Sequence, residues 1–323
     1  MHGILVCNKP PGKTSRDIVN IVARQVRPVK VGHAGTLDPL AEGVLLLTVG
    51  AATRLVPYLH LYSKTYTATF HLGVSSPSGD LELPTEQQPD APVPTAAEVS
   101  RAATRLTGVI TQVPPQHSAI KVAGKRAYRA ARNDEIIAMP PRQVTVHRFE
   151  VDHYAYPMVR TTIECGSGTY IRSLGCDLAA QLGTVAVMTH LRRESIGPYD
   201  LANAVPLELL AERAESVHQR VTGKGVQSGE HSPAPLQSVA TRGAAHWENC
   251  LQPLATATGA LPGVVLSDQQ VIEIQHGRSI PTAGDFVSQC GEFAAYDAAG
   301  KLIAILVVRQ QRLGPKRVFQ LAK

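Results

Sequence analysis

Behind Gly43 the chain runs Val44-Leu45-Leu46-Leu47-Thr48-Val49 before Gly50 closes the run. A continuous apolar stretch, rich in branched residues and bounded by glycines, has the pattern of a buried strand. Just upstream, Gly32 and Gly35 bracket His33, and Asp38 follows Thr36 with Pro39 behind it. Glycine adopts backbone that other residues resist, while proline fixes its own φ and restricts the residue before it. Asp38 therefore belongs on a stiff, tightly turned loop beside a core strand, a setting that suits a catalytic carboxylate. An isolated Asp-Pro is also the mark of a simple turn cap, so partners further along the chain must decide.

Residues Gly3 to Cys7 read as a short strand, followed by NKPPGKTS. Strand, GKT, then helix is the setting of a nucleotide-binding P-loop. That motif needs a glycine five residues before Gly12, where Cys7 stands, and Pro10 and Pro11 remove two backbone donors. The stretch reads instead as a rigid proline turn. Ser15 is expected to cap a helix in which Ile18, Val19, Val22 and Val26 share one face, ending before Pro28. Further on, Tyr66, Ala68, Phe70 and Leu72 alternate with Thr65, Thr67, Thr69 and His71, a strand with one buried face. Tyr66 then points inward, either as an ordinary core tyrosine or as a ring on which a base stacks.

Val74 to Pro94 carries five prolines and four acids but no lysine or arginine, and reads as a loop or lid. Thr95 and Glu98 form a capping box for a helix that buries Val99, Ala102, Ala103 and Leu106 and stops at Gly108. Between His117 and Arg148 stand Lys121, Lys125, Arg126, Arg129, Arg132, Arg142 and Arg148 against only Asp134 and Glu135. Such density on an excursion of about 112–148 reads as an arm that meets phosphates, against the plainer reading of a solvated face. Strands are expected at Gln143–Val151 and Met158–Cys165. Gly166 and Gly168 then turn the chain into a helix starting near Thr169, with Ile171, Leu174, Leu178 and Leu182 as its apolar stripe. Tyr170 and Arg172 fall in its first turn. A helix N-terminus favours anions, so Arg172 has no local reason to be there and needs an acid or a phosphate. Ala186 to Pro198 reads as strand and turn, and Val205 to Ala214 as a helix.

From Val221 to about residue 246 the composition collapses to Gly, Ser, Pro, Gln and Ala, a flexible insertion. The last part, 263–323, has its own pattern: a helix at Asp268 to His276, strands at Phe293–Tyr296 and Leu302–Val308, and a basic end with Arg309, Arg312, Lys316 and Arg317. That end reads as an RNA accessory surface or a solvated tail. Five scattered cysteines without a CxxC pair indicate neither a disulfide framework nor a zinc cluster, and no metal site is expected. No apolar run approaches membrane-spanning length, and a cytoplasmic protein with no membrane association is expected. The net charge of +6 permits a polyanionic partner.

Taken in order, GHAGTLDPLAEGVL, KTYTATFHLG, VPPQHSAIKVAGKRAYRAAR, GTYIRSL and LRRESIGPY resemble the bacterial tRNA pseudouridine(55) synthases, the TruB family. The resemblance covers most of residues 3–212. It implies an α+β pseudouridine synthase fold with a mixed, mostly antiparallel sheet and an RNA-binding cleft in residues 1–262, then a small, β-rich, PUA-like module. It also implies isomerisation of uridine 55 in the tRNA T arm, with no redox cofactor, nucleotide or metal, and a monomer is expected. By the same resemblance Asp38 is the essential aspartate, Arg172 its arginine partner, and Tyr66 the ring that stacks on the target base. His33 fills the gap left by the flipped base, while Leu191 and Tyr170 shape the pocket. Lys9 and Pro10 brace Tyr66, Gly32 and Gly35 shape the Asp38 motif, and Lys121, Arg126, Arg129 and Arg132 line the arm. Where the family reads TDTxD, this chain has Ser76-Pro77-Ser78-Gly79-Asp80. Three other readings stand beside this one: an RNA-binding or tRNA-folding protein without catalysis, a nucleotide-dependent enzyme using NKPPGKTS, and a synthase acting on another RNA.

Overall fold

The computed structural model describes residues 1–116, 118, 137–210, 247–281 and 291–320, together with the backbone of 121–122 and 125–126. Among the described residues, two large sheets organise the chain. The larger has ten strands, eight of them in the order Val205–Pro206, Gly3–Lys9, Glu42–Val49, Ala186–Ile196, Lys64–Leu72, Met158–Cys165, Arg142–Ala155, Gly108–Gln112. Most neighbours are antiparallel; Gly3–Lys9 with Val205–Pro206, and Ala186–Ile196 with Glu42–Val49, are parallel. The predicted strand behind Gly43 is central, and Val44 to Leu47 and Val49 are wholly buried. Residues on its two sides enter different clusters: Val44 and Leu46 pack with Ile4 and Leu55, whereas Leu45 and Leu47 pack with Ile18 and Trp247. Burial on both faces is why its apolar run is continuous rather than alternating.

One face of the Lys64–Leu72 strand buries Ala68, Phe70 and Leu72 against the helices Ala96–Arg105 and Ile171–Gln181. The Thr95–Glu98 capping box forms as expected. Gly175 sets the helix–sheet distance: a Cβ there would lie 2.3 Å from Cε1 of the buried Phe70. Gly175→Ala is therefore expected to destabilise by about 1–3 kcal/mol despite alanine's better helix propensity, read as a lower urea midpoint at unchanged slope.

Four local expectations change. Thr14, not Ser15, caps the first helix, Ser15–Gln25, with Asp17 completing the box. Ser15 is freed for a tertiary role described below. Tyr170, not Thr169, stands at the cap of Ile171–Gln181. Val205 and Pro206 form an edge strand on Gly3–Lys9, so the helix begins only at Leu207; Pro206 is tolerated because an edge strand leaves one side unpaired. The Val74–Pro94 segment is not all open loop, since Val74–Ser75 pairs with Glu86–Gln87 and both Ser78 and Asp80 are buried.

Gln112 and Arg142 to Arg148, at the ends of the basic segment, are strand residues of the large sheet. Between them only short pieces are described, Lys121–Val122 pairing with Lys125–Arg126. Arg129, Arg132 and the insertion at 221–246 lie outside the described residues, as do the side chains of Lys121 and Arg126.

The second sheet takes Gly263–Val265, Glu292–Tyr296, Leu302–Arg309, Arg312–Val318 and Ile280–Pro281 in that order. Arg312, Lys316 and Arg317 thus belong to a paired strand rather than a tail. Ala294, Leu302, Ile305 and Phe319 of this part share one buried cluster with Ile4, Val44 and Leu46 of the large sheet.

Candidate active site

Asp38 leaves the turn between the short strand Val31–His33 and Glu42–Val49. Gly35 has φ +94, backbone that only glycine adopts without strain, so one of the two predicted glycines is needed for its φ. Gly32 instead serves closeness, since a Cβ there would lie 3.2 Å from Thr48 Oγ1. The turn is tied down from several directions. Ser15 Oγ donates to Leu37 O at 3.1 Å and accepts from Leu37 N at 2.9 Å. Gly12 N donates to Pro39 O at 2.8 Å, and the buried Lys9 ammonium donates to Pro39 O, Pro10 O and Lys13 O. NKPPGKTS is thus a brace, as the rejected P-loop reading implied. Among its described hydrogen bonds, those of Lys9 Nζ, Gly12 N and Ser15 Oγ reach the Asp38 turn and none reaches Tyr66. Burial lowers the Lys9 pKa to about 8, with Asp38 opposing that shift.

The unexplained arginine finds its acids. Arg172 is 3% exposed, with NH2 at 3.1 Å from Asp38 Oδ2 and NH1 at 3.4 Å from Asp80 Oδ2. It also donates to Ser78 O at 2.9 Å. Asp80 is as buried as the arginine, whereas the Asp38 side chain keeps 37% of its surface open toward the cavity. Asp80 therefore anchors the guanidinium and Asp38 is the member that can meet a substrate. Burial pushes the Asp38 carboxyl above the ordinary aspartate range; Arg172 pulls it back, and the Asp80 charge pushes it up again. A reaction that needs ionised Asp38 then has its acid limb above that range. Asp80→Asn removes the like charge, so the acid limb of the pH–rate profile is expected to move to lower pH, while the plateau rate falls about tenfold as Arg172 loses its anchor.

Asp38 and Arg172 line a cavity of about 450 Å³ together with Tyr66, Lys64, His60, Arg142, Tyr170, Leu191 and Arg193. That volume falls in the range of ordinary small-molecule sites. Burial raises the Tyr66 phenol, and the Arg193 guanidinium beside it opposes the shift. Tyr170 lies under the Arg142 guanidinium at 4.9 Å, and its backbone is clasped by the buried Gln112 amide at 3.0 and 2.7 Å. His33 is outside the cavity lining, on the strand next to Glu42–Val49, and its Nδ1 is buried without a hydrogen-bond partner among the described residues.

Sequence reasoning named Asp38, Tyr66, Tyr170, Arg172 and Leu191, which the fold brings to one cavity. It missed Asp80 as an ion-pair member, and also Arg193, Lys64 and Gln112. Arg193 had a legible signal: it stands two residues after Leu191 on one strand and so shares its face.

The large mixed sheet with its recessed aspartate–arginine pair is that of a pseudouridine synthase, the class to which the matching family model and relatives belong. A chain of a solved Cbf5–Nop10–Gar1 complex has the same fold, with TM-score 0.70 and 24% identity over 98% of this chain and 85% of that one. Residues 23–171 match the TruB family pseudouridylate synthase N-terminal domain. The tRNA pseudouridine synthase B of Rhodopirellula baltica is 49% identical over 205 residues, a match spanning 62% of this chain and 59% of that relative. That of Paenarthrobacter aurescens is 36% identical across 99% of this chain and 95% of its own length. The chain belongs to the TruB family of pseudouridine synthases.

Proposed function

We propose that the protein isomerises uridine to pseudouridine in tRNA, at uridine 55 of the T loop. The observation that carries this reading is the Asp38 carboxylate, more than a third exposed where it lines the cavity and held by an arginine whose other charge partner is buried. The target nucleotide leaves its stack, at a cost of about a few kcal/mol, and enters the cavity. Its uracil lies against Tyr66 and the Leu191 wall, with Tyr170 at the side, while His33 fills the vacated space. Ionised Asp38 then acts on the ribose or the base. The C1′–N1 bond breaks, the uracil turns, and a C1′–C5 bond forms. C5 gives up its proton, for which Tyr66 is the nearby acceptor, and N1 gains one. Substrate and product have the same atoms, so the chemistry consumes no co-reactant.

Residues 1–262 form the catalytic unit in this reading, and residues 263–323 a PUA-like module whose strand carrying Arg312, Lys316 and Arg317 adds RNA contact. The protein acts as a cytoplasmic monomer; no helix among the described residues is long and apolar enough to cross a membrane. Lys121, Arg126, Arg129 and Arg132 on the arm meet phosphates. RNA affinity measured by filter binding should then fall with salt with a log–log slope steeper than about −3 for four such contacts, and replacing all four with alanine should flatten it. The reading is tested with unmodified tRNA transcribed from [5-³H]uridine. Wild-type protein is expected to release tritium to water in proportion to the pseudouridine formed. Tight binding without release would leave RNA binding as the function.

A further inference from the structure

Arg193 is an arginine that neither the Asp38 pair nor the RNA arm explains. It is 2% exposed, and no carboxylate lies within 4.0 Å of it among the described residues. A buried guanidinium is costly unless its donors are met, and here backbone carbonyls meet them. Nε donates to Val44 O at 2.7 Å, NH2 to Gly35 O at 3.1 Å, and NH1 reaches Thr36 O at 3.5 Å. Gly35 and Thr36 lead into Asp38, and Val44 is the third residue of the strand that leaves it. One planar fork therefore closes both arms of the Asp38 turn.

The backbone around it is built to allow this. Arg193 is the parallel partner of Gly43, where φ is +103 and a Cβ would stand 2.3 Å from Arg193 O. Only glycine permits that approach. On its other side Arg193 is the cross-strand partner of Tyr66, with an irregularity in register just after it, between Arg193 and Ser195. Tyr66, Asp38 and Arg193 all line the same cavity. The guanidinium thus sits between two groups that approach a bound nucleoside from separate strands.

We propose that Arg193 is a positioning residue that holds the Asp38 turn and the Tyr66 phenol in one rigid frame, so that aspartate and phenol meet the same uridine in register. The inference rests on the isomerase reading above. A lysine cannot replace it: one ammonium lacks the fork that spans Gly35 O and Val44 O while facing Tyr66. Its charge also acts on Tyr66, opposing the rise that burial imposes on the phenol.

The test uses full-length protein in single-turnover tritium release from [5-³H]uridine tRNA, with RNA affinity and thermal melting measured on each variant. Wild-type release establishes the isomerase reading independently of Arg193. Arg193→Lys is expected to lose about 10- to 100-fold in rate with RNA affinity within about twofold of wild type. Combined with Tyr66→Phe, it is expected to cost much less than the product of the two single losses, because both variants break one frame. Should Arg193→Lys show no cooperative melt, Arg193→Gln carries the test. It keeps an amide for the turn carbonyls but no charge, and its pH–rate optimum is expected to move to higher pH. Multiplicative losses in the double variant, a wild-type rate in Arg193→Lys, or a rate loss matched by lost affinity would overturn the proposal. An unmoved pH profile in Arg193→Gln would do the same.

Discussion

Asp38→Asn is expected to reduce pseudouridine formation by about four orders of magnitude or more while leaving RNA affinity within a few-fold of wild type. The substitution is nearly isosteric, so the turn held by Ser15, Lys9 and Gly12 keeps its shape. What goes is the negative charge that faces Arg172 at 3.1 Å and opens toward the cavity. An amide can neither attack carbon nor take a proton from the sugar. Binding survives because phosphate contacts lie elsewhere and supply most of the affinity of a basic protein for RNA. The measurement is single-turnover tritium release beside filter binding on the same preparations. Equal rates for the two proteins would remove Asp38 from the chemistry, and equal loss of rate and binding would make it a structural residue.

Arg172→Met has the second largest expected effect, and it acts on stability as well as rate. With the guanidinium gone, Asp80 is left buried without its charge partner, and breaking a buried pair from one side costs about 3–5 kcal/mol. The share from Asp38 is smaller, since that carboxylate is more than a third exposed and water screens it. Removing the cation also removes the influence that holds the Asp38 carboxyl down against burial, so its pKa rises further. Below that pKa the carboxylate is protonated and inactive, so the acid limb of the pH–rate profile moves to higher pH, opposite to Asp80→Asn. At neutral pH the rate should fall about 10³-fold or more, combining lost ionisation with lost positioning. A urea midpoint and a pH–rate profile on one variant read the two effects separately. Arg172→Lys restores the charge but not the two-sided fork, and should recover stability more than rate.

The contrast between these two residues marks what the sequence carried and what it did not. Asp38 was legible because its constraints are local: glycine and proline on either side, and an unbroken apolar run behind. Arg172 was half legible. Its place in the first turn of a helix opposes the dipole, so an acid was called for, but helix periodicity cannot say which. Asp80 sits in a proline-rich segment whose composition reads as open loop. The pairing of Val74–Ser75 with Glu86–Gln87 and the hydrogen bond from Met188 N to Gly79 O help fold it inward.

Long-range closure likewise hid the burial of Arg193, which depends on the absence of a side chain at Gly43, 150 positions earlier in the chain. The Val205–Pro206 edge strand was missed for a related reason. Two residues carry no period, and their pairing with Cys7 and Asn8 is set by the far end of the molecule. Ser15 shows a smaller version of the same limit. Threonine and serine are both good caps, and choosing Thr14 over Ser15 needed the knowledge that the Ser15 hydroxyl is taken by Leu37.

The most direct measurement is to incubate full-length protein with a complete unmodified tRNA transcript and map pseudouridine at single-nucleotide resolution. The account predicts one new pseudouridine, at uridine 55 of the T loop, with every other uridine unchanged. Modification confined to another position, or none under conditions where the RNA is fully bound, would contradict it.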